Sequence, residues 1–272
     1  IAAQAVVGSE LAYREALSYA KDRKQFGKAI IEFPAVFEMI AVMKAKLDAS
    51  RSLLYETSRF VDMYKLYEDI AKERSLTPEE RKEMKHYSRL ADACTPLAKG
   101  MGSEYCNQNA YDCIQVHGGS GFMKDYACER LYRDARIISI YEGTTQLQVV
   151  AAIRHVTTGT YMSLIESYEA QEVRPELQNL KDNLKEMTKA YAEAVEKVTS
   201  VKDQAYNDLM ARRLVEMAGN IVMGYLLVLD ANRTESFTKS AEVYNKMAQA
   251  EIAKHSSFIN SFVPEQIAAY KE

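Results

Sequence analysis

Apolar residues recur at intervals of three and four positions along most of this 272-residue chain, which is the spacing of one face of an α-helix. The stripe that begins at Ala2 and ends at Ala20 predicts a first helix over residues 2–22. A second stripe begins at Val36 and predicts a helix from about residue 34 to the middle sixties. Five prolines and eleven glycines are few for this length, so the pattern as a whole predicts an all-α fold.

The third helix has clear start and stop signals. Thr77-Pro-Glu-Glu80 combines a capping threonine, a first-turn proline and a glutamate that can complete a capping box. A polar turn region is expected before it, and its apolar stripe ends near His117, where the glycines of 118–121 break the chain. A last helix is predicted to begin at Thr144–Thr145. Residues 1–158 therefore carry four main helices, and we interpret them as a four-helix bundle.

The helical pattern restarts in the remainder of the chain. Apolar and small residues alternate spacings of three and four without a break from Leu177 to Ala205, a narrow seam suited to packing along neighbouring helices. A final helix is predicted to begin near Asn232 or Thr234. Since this part has no glycine-rich loop and no clustered titratable groups, residues 159–272 are predicted to form a second, smaller helical domain that serves packing and assembly.

The balance of charge gives no reason to expect binding to a polyanion. The chain has 35 Lys plus Arg against 38 Asp plus Glu, a formal net charge of −3, so no positive field would gather nucleic acid or an anionic membrane surface. The longest apolar run, Ile221 to Leu229, is far shorter than the roughly 20 residues that span a bilayer. We therefore expect no integral membrane segment.

The four cysteines form no Cys-x-x-Cys pair and are typical of reduced core residues in an intracellular protein. The chain opens without methionine and already within a helical pattern. We therefore expect it to be part of a longer polypeptide, whose other part could carry targeting information.

A di-iron site inside a four-helix bundle needs a Glu-x-x-His pair on each of two helices. Only Glu83-Met-Lys-His86 has that spacing, because no glutamate stands three residues before the other histidines. We therefore predict no metal site. Nucleotide-binding loops of the Rossmann and P-loop kinds are not present in the sequence either.

Glu142 is the strongest candidate for chemistry, because it stands between Tyr141 and Gly143 just ahead of a predicted helix. A glutamate in an apolar niche has its pKa raised by desolvation, which makes it a better base near neutral pH. The glycine leaves room for a substrate carbonyl to approach the backbone. The alternative interpretation is an ordinary loop glutamate in water.

Three segments could each bind an anion. The closely spaced glycines of 115–122 expose backbone N–H groups to which a phosphate can come close. Arg23 and Gln25 offer a cation and an amide beside the ring of Phe26, and the free N–H groups of the helix that follows Thr144 form a third possible site. A plain turn, a capped helix end and a solvated helix start are the alternatives.

The order of these motifs resembles a known family. Residues 22–28, 115–122 and 133–148 together resemble the C-terminal helical domain of the FAD-dependent acyl-CoA dehydrogenases. The resemblance covers residues 1–158. The tail resembles the extra helical domain on longer members of that family.

This resemblance implies that Glu142 is the catalytic base, which removes the α-proton of an acyl-CoA thioester while a hydride leaves the β-carbon for flavin N5, giving a trans-2-enoyl-CoA. The Glu142 backbone N–H would donate to the thioester carbonyl, which stabilises negative charge there. Tyr141 and Gly143 would line the thioester pocket.

The resemblance also implies FAD as the cofactor and a set of contacts to it. A loop from the neighbouring subunit would reach the same FAD, so a homodimer or homotetramer is expected. The implied contacts are Arg23, Gln25, Phe26, Thr144 and Gln146, together with the loop residues Gln115, Val116, His117, Gly118 and Gly119.

Electrons are expected to pass to an electron-transferring flavoprotein, in the cytoplasm or, if the source is eukaryotic, in the mitochondrial matrix. The family's N-terminal helical domain and β-domain are not within these 272 residues, so we expect this chain to be inactive alone. An acyl-CoA oxidase and a non-catalytic helical assembly module of the same fold are the alternatives.

Overall fold

The computed structural model describes residues 1–271, and they are almost entirely helical. The all-α prediction is therefore confirmed. The first part of the chain contains α1 (Ala2–Asp22), β1 (Lys24–Gln25), β2 (Lys28–Ala29), α2 (Pro34–Glu73), α3 (Pro78–His117), α4 (Gly119–Phe122), α5 (Cys128–Ile138) and α6 (Thr145–Thr157). The second part contains α7 (Thr160–Glu169), α8 (Gln178–Ser200), α9 (Gln204–Arg233) and α10 (Thr238–Ser261), with short 3₁₀ turns at Ile30–Glu32, Pro175–Leu177, Glu235–Phe237 and Pro264–Tyr270.

The predicted start of α3 is confirmed. Thr77 Oγ1 accepts a hydrogen bond from the Glu80 N–H at 3.2 Å, and Glu80 Oε2 accepts one from the Thr77 N–H at 2.8 Å. Arg74 donates to the same carboxylate with two nitrogens. This capping box satisfies backbone donors that the first turn of the helix leaves free.

α2 is longer than predicted, since it continues to Glu73 and leaves only residues 74–77 for the expected turn region. No glycine or proline occurs in residues 63–73, and Lys72 pairs with Asp69 one turn away at 2.6 Å. Good helix formers and such pairs let a helix continue into solvent after its apolar stripe has ended.

α1 runs parallel to α3 and packs closely against it, because small residues line the contact. Ala5 and Ala16 are fully buried, and a Cβ added to Gly8 would stand 2.7 Å from Cys106 Sγ. Backbones with such small side chains between them approach closely. The first turns of α1 therefore lie against the middle of α3, and its last turns lie against His117, whose ring stacks on Tyr19 with 4.2 Å between centroids.

The hydrophobic core is shared between the first and second parts of the chain. Its largest cluster joins Leu97 and Met101 of α3 to Leu214 and Ile221 of α9, among many others. Buried polar groups tie the same helices together. The Tyr105 hydroxyl on α3 donates to Asn220 Oδ1 on α9 at 3.1 Å and lies 3.0 Å from the Tyr244 hydroxyl on α10, and Ser240 Oγ of α10 donates to the buried carboxylate of Asp48 on α2 at 2.6 Å.

The division into domains 1–158 and 159–272 stays a prediction, and its last residue, Glu272, lies outside the described residues. Two expectations for this region are wrong. The seam from Leu177 to Ala205 is broken between α8 and α9, where Asp203 Oδ1 accepts from the Tyr206 N–H at 2.8 Å and caps the new helix. The final helix begins later than expected, because α9 itself continues through Asn232.

Titratable groups do cluster in the second part, contrary to the prediction. His255 Nε2 on α10 lies 3.1 Å from Glu216 Oε2 on α9 and 3.7 Å from Glu251 Oε2. Arg212 donates to Glu216 at 2.7 Å. Arg212 and Glu216 are four residues apart on α9, as are Glu251 and His255 on α10, and the packing of α10 on α9 brings the two pairs together.

By length and composition α9 would pass as a membrane-spanning helix. In the fold, 89% of its most apolar stretch is buried among the other helices. A buried core helix passes the same test of length and composition, so packing alone accounts for the apolar character of α9.

Candidate active site

Glu142 lies in the loop between α5 and α6. The N–H groups of Ile140 and Tyr141 donate back to the Ile137 carbonyl at 2.9 and 3.1 Å, which closes the end of α5. On the other side, Thr144 caps α6, because its hydroxyl accepts from the Leu147 N–H at 3.4 Å. The prediction that α6 begins at Thr144–Thr145 is confirmed. Both ends of the loop are thus fixed by neighbouring helices.

The backbone of this loop adopts an uncommon conformation. Glu142 has φ +54° and Gly143 has φ +92°. The left-handed region costs a residue with a side chain roughly 1–2 kcal/mol, and such outliers concentrate at functional sites. Among residues 1–271, Phe26 at φ +50° is the one other non-glycine residue with positive φ, and it too belongs to a predicted cofactor segment.

Three side chains from α3 and α6 hold the loop. Lys99 Nζ donates to the Gly143 carbonyl. Gln148 Nε2 donates to the same carbonyl at 3.2 Å and to the Glu142 carbonyl at 3.4 Å, and the Thr145 hydroxyl donates to Glu104 Oε1 at 2.6 Å. Lys99 and Glu104 were not predicted as part of the site, because both lie on α3, far from Glu142 in the sequence.

Lys99 is deeply placed for a lysine, with 6% of the residue exposed. Burial lowers the pKa of its ammonium group, while the carboxylates of Glu104 and Glu142 act in the opposite direction. A buried ammonium is tolerated only where polar groups compensate its lost hydration. Here the Gly143 carbonyl is that polar group.

The side chain of Glu142 is exposed. The apolar niche expected from the sequence is therefore not formed by residues 1–271. Tyr141 is half-buried, and its hydroxyl donates to Gln4 Oε1 on the first turn of α1. The predicted substrate-binding pair Tyr141 and Gly143 thus flanks the carboxylate at the end of the bundle where α1 begins.

Arg23, Gln25 and Phe26 lie in a β-hairpin that the sequence did not predict. Lys24 pairs with Ala29 and Gln25 with Lys28 around a two-residue turn. Positive φ at both turn residues, Phe26 and Gly27, is the conformation that closes tight hairpins. The Phe26 ring is 93% exposed, so an apolar ring is held in solvent by a strained backbone.

The predicted loop Gln115–Gly119 lies at the same end of the bundle as this hairpin. The Gln115 side chain and both glycines are exposed, whereas Val116 and His117 are buried. His117 Nδ1 lies 2.7 Å from the Cys113 carbonyl oxygen. A ligand at this turn would meet the glycine backbone and Gln115 rather than the side chains of Val116 and His117.

The two groups of predicted residues stand far apart in one chain. Tyr141 touches Gln4 at the start of α1, and the hairpin with Arg23 follows the end of α1 at Asp22. At 1.5 Å per helical residue the length of α1 separates them by about 27 Å. Thr144 and the exposed Gln146 lie with Glu142, so the structure brings that group together but not with Arg23 or Gly118.

One cluster has the residue types of a metal site. Cys113, His117 and Cys128 are buried, and each offers a ligand atom within 4.8 Å of the others. Burial raises the pKa of both thiols, which disfavours the thiolate form that binds metals. Cys128 Sγ donates to the Gly121 carbonyl at 3.4 Å. We interpret the cluster as packing under the glycine turn, and the absence of a metal site stays a prediction.

Comparisons with known proteins identify the family. A family model described as acyl-CoA dehydrogenase, C-terminal domain, matches residues 1–157, and one described as acyl-CoA dehydrogenase C terminal matches residues 157–267. The chain belongs to the acyl-CoA dehydrogenase family. The family predicted from the sequence motifs is thereby confirmed.

An FAD-complexed acyl-CoA dehydrogenase from Bacillus anthracis shares the fold of this chain. The TM-score is 0.71 over 98% of this chain and 49% of that structure, at 24% sequence identity. At that identity the likeness concerns the fold alone. It extends over both parts of the chain, so the shared core described above belongs to a known architecture.

Relatives of known function differ in chemistry. The caffeyl-CoA reductase-Etf complex subunit CarC of Acetobacterium woodii is 38% identical over 148 residues, which is 54% of this chain and 33% of that protein. The 3-methylmercaptopropionyl-CoA dehydrogenase of Ruegeria pomeroyi is 29% identical over 97% of this chain and 46% of that protein. The chain thus spans between a third and a half of the length of these relatives.

Proposed function

We propose that the polypeptide containing this chain catalyses the FAD-dependent α,β-dehydrogenation of an acyl-CoA thioester, with Glu142 as the base. The observation that carries the proposal is the fixed left-handed Glu142–Gly143 backbone, in a chain that belongs to the acyl-CoA dehydrogenase family. Strained backbone is retained where function requires a defined geometry.

The residues of the chain would act as follows. The Glu142 carboxylate accepts the proton from the α-carbon, and the Glu142 backbone N–H donates to the thioester carbonyl where negative charge develops. Gly143 leaves that side of the carbonyl open, and Tyr141 packs beside it. FAD, when bound, supplies the acceptor for the hydride that leaves the β-carbon. The substrate thereby loses one proton and one hydride, and an enoyl-CoA results.

The residues present fit FAD. Arg23, Gln25 and Phe26 offer an exposed cation, amide and ring, and a Cβ added to Gly118 or Gly119 would meet no atom within 4 Å, so the backbone there is open to a phosphate. Because these groups stand about 27 Å from Glu142 along α1, a single chain cannot place all of them on one flavin. This supports a homodimer or homotetramer in which neighbouring subunits share the cofactor.

The partners follow from the same proposal. The acyl-CoA substrate is supported by CoA thioesters in the names of relatives, and an electron-transferring flavoprotein is supported by the Etf complex of CarC. We place the protein in the cytoplasm, or in the mitochondrial matrix if its source is eukaryotic. Because most of the flavin site would come from outside these residues, the chain alone is proposed to be inactive.

The opposite direction of reaction is the second candidate. Two relatives at 38% identity are named as reductases, the caffeyl-CoA subunit and a 3-(aryl)acrylate reductase of Clostridium sporogenes. In that direction Glu142 would return a proton to the α-carbon. Turnover of acyl-CoA with an oxidised acceptor, compared with turnover of an enoyl substrate with a reduced donor, separates the two directions.

Substitution of the base tests the proposal. In the FAD-loaded complete polypeptide, Glu142→Gln is expected to lower acyl-CoA-dependent flavin reduction by about 10²–10⁴-fold while FAD remains bound. Glu172→Gln, at another exposed loop glutamate, is the matched control and should keep full activity. Unchanged activity in Glu142→Gln would show that Glu142 is not the base. Lack of activity in the wild type as well would favour a non-catalytic module, and turnover that requires oxygen would favour an oxidase.

A further inference from the structure

We propose that Lys99 and Gln148 are positioning residues, which hold the Glu142–Gly143 peptide in its left-handed conformation and so aim the carboxylate and the backbone N–H at one substrate. This inference rests on the proposed function of Glu142. Both side chains act through the loop carbonyls to which they donate.

The hydrogen bonds of the two loop carbonyls come from side chains. Lys99 Nζ and Gln148 Nε2 donate to the Gly143 carbonyl, and Gln148 Nε2 also donates to the Glu142 carbonyl. Among residues 1–271, no backbone N–H is a donor to either carbonyl. Successive left-handed residues turn these carbonyls away from the first turn of α6, so the loop conformation depends on the two side chains.

Lys99 makes one hydrogen bond among the described residues, to Gly143. Only 6% of Lys99 as a residue is exposed, and taking a charge out of water is costly. An uncharged residue would be buried at this position of α3 at lower cost. The presence of Lys99 therefore indicates that its charge or its N–H donors serve a function. The carboxylates of Glu104 and Glu142 are the charges that act on it, which places the cation beside the proposed base.

Gln148 is placed against the loop by two glycines. A Cβ added to Gly143 would stand 2.9 Å from Gln148 Nε2, and one added to Gly100 on α3 would stand 3.4 Å from Gln148 Cβ. The Gln148 side chain therefore passes between α3 and the loop with little free space. Such confinement fixes its amide, and a fixed donor fixes the carbonyls that it binds.

The test uses the FAD-loaded complete polypeptide. Lys99→Met keeps the length of the side chain and removes the donor, Lys99→Gln keeps a donor, and Gln148→Met removes the amide. A small displacement of a catalytic group can lower the rate of the chemical step by about 10²-fold. We expect flavin reduction to fall by about 10- to 100-fold in Lys99→Met and Gln148→Met, with KM little changed and partial recovery in Lys99→Gln.

A second buried lysine provides the matched control. Lys181 is 9% exposed, and its Nζ donates to the Gln171 carbonyl at 2.6 Å in the second part of the chain. Lys181→Met should lower thermal stability and leave the rate of flavin reduction unchanged. If Lys99→Met behaves in the same way, Lys99 has only a structural role and the inference is wrong.

The outcomes separate this inference from the proposed function. If Glu142→Gln abolishes turnover while Lys99→Met and Gln148→Met match the wild-type rate, the base stands and the positioning role is overturned. If Glu142→Gln keeps its activity, both proposals fail. Should Lys99→Met not fold, Gln148→Met decides, because Gln148 is only half-buried and a wild-type rate in that variant contradicts the inference.

Discussion

Gly143 meets two requirements that no other residue type meets. Its φ of +92° is unfavourable for a residue with a side chain, and the space where a Cβ would lie is occupied by the Gln148 amide. The first requirement is conformational and the second is steric. Both arise from the loop that carries Glu142, so the glycine is part of the site although it bears no functional group.

Gly143→Ala should therefore destabilise the chain more than the same substitution at a glycine that has positive φ but free space around its Cα. Gly159 provides the comparison, since its φ is +71° and a Cβ there would meet nothing within 4 Å. We expect Gly159→Ala to lower the free energy of unfolding by roughly 1–2 kcal/mol. Gly143→Ala should lower it by that amount and by about 1 kcal/mol more, because the added methyl group crowds Gln148. Urea unfolding of the three proteins measures both. Equal losses would mean that Gln148 moves aside freely.

At the residue scale, the sequence pointed to the Glu142–Gly143 loop but not to Lys99, which holds it. Glu142 and Gly143 form a recognisable pair just before a helix, because glycine marks unusual backbone. Lys99 gives no such signal, since a lysine between Ala98 and Gly100 in a helix is typical of a solvent-facing position. Only the packing of α3 against the α5–α6 loop buries it. The exposure of Glu142 could not be predicted either, because the sequence pattern shows which residues are adjacent along the chain and not which ones surround a side chain in the fold.

At the scale of elements, local chemistry decided which boundaries could be predicted. The start of α3 was predictable because Thr77, Pro78 and Glu80 act within one turn. The break between α8 and α9 was not, because a single aspartate, Asp203, caps the new helix within an unbroken apolar pattern. The hairpin after α1 was missed for a related reason, since a two-residue turn usually carries Asn-Gly or Asp-Gly and here Phe26 takes the first place.

The capping box of α3 should give a pH-dependent contribution to stability. The Arg74 guanidinium and then the Thr77 N–H lower the pKa of Glu80 from 4.5 to about 2. A carboxyl group whose pKa is lower in the folded state stabilises the fold above its unfolded pKa, and that stabilisation is lost as the pH falls through the folded pKa. Its contribution is therefore complete above pH 4.5 and disappears towards pH 2.

We expect Glu80→Gln to unfold at lower urea concentration than the wild type at pH 7, and the difference to close as the pH is lowered through that window. Glu79→Gln is the control, because Glu79 lies in the same turn and no side-chain hydrogen bond of the described structure involves it. A difference that stays constant with pH would show that the carboxylate charge of Glu80 contributes nothing.

At the scale of the whole molecule, the shared core argues for cooperative behaviour. α9 packs against α2, α3 and α6 of the first part as well as α8 and α10 of the second. The sequence predicted two units from the restart of the helical pattern, since periodicity reveals which face of a helix is apolar but not which helix covers it. The apolar surface of α9 is covered from both sides.

The full chain should therefore unfold in one transition. Urea titration followed by far-UV circular dichroism and by tyrosine fluorescence should give coincident curves, because loss of either part uncovers the core of the other. Residues 1–158 expressed alone should bind a hydrophobic dye and aggregate. Two separated transitions, or a well-folded soluble fragment, would show that the parts are independent.

Two neighbouring residues on α3 bind different parts of the molecule. Glu104 binds Thr145 at the start of α6, next to the proposed base, and Tyr105 binds Asn220 and Tyr244 deep in the C-terminal helices. One turn of α3 therefore contacts both the α6 start beside the proposed base and the helices of the second part. A substitution at Asn220 that disturbs this turn is therefore expected to affect the proposed site, although Asn220 lies in the part of the chain that supplies none of the proposed catalytic residues.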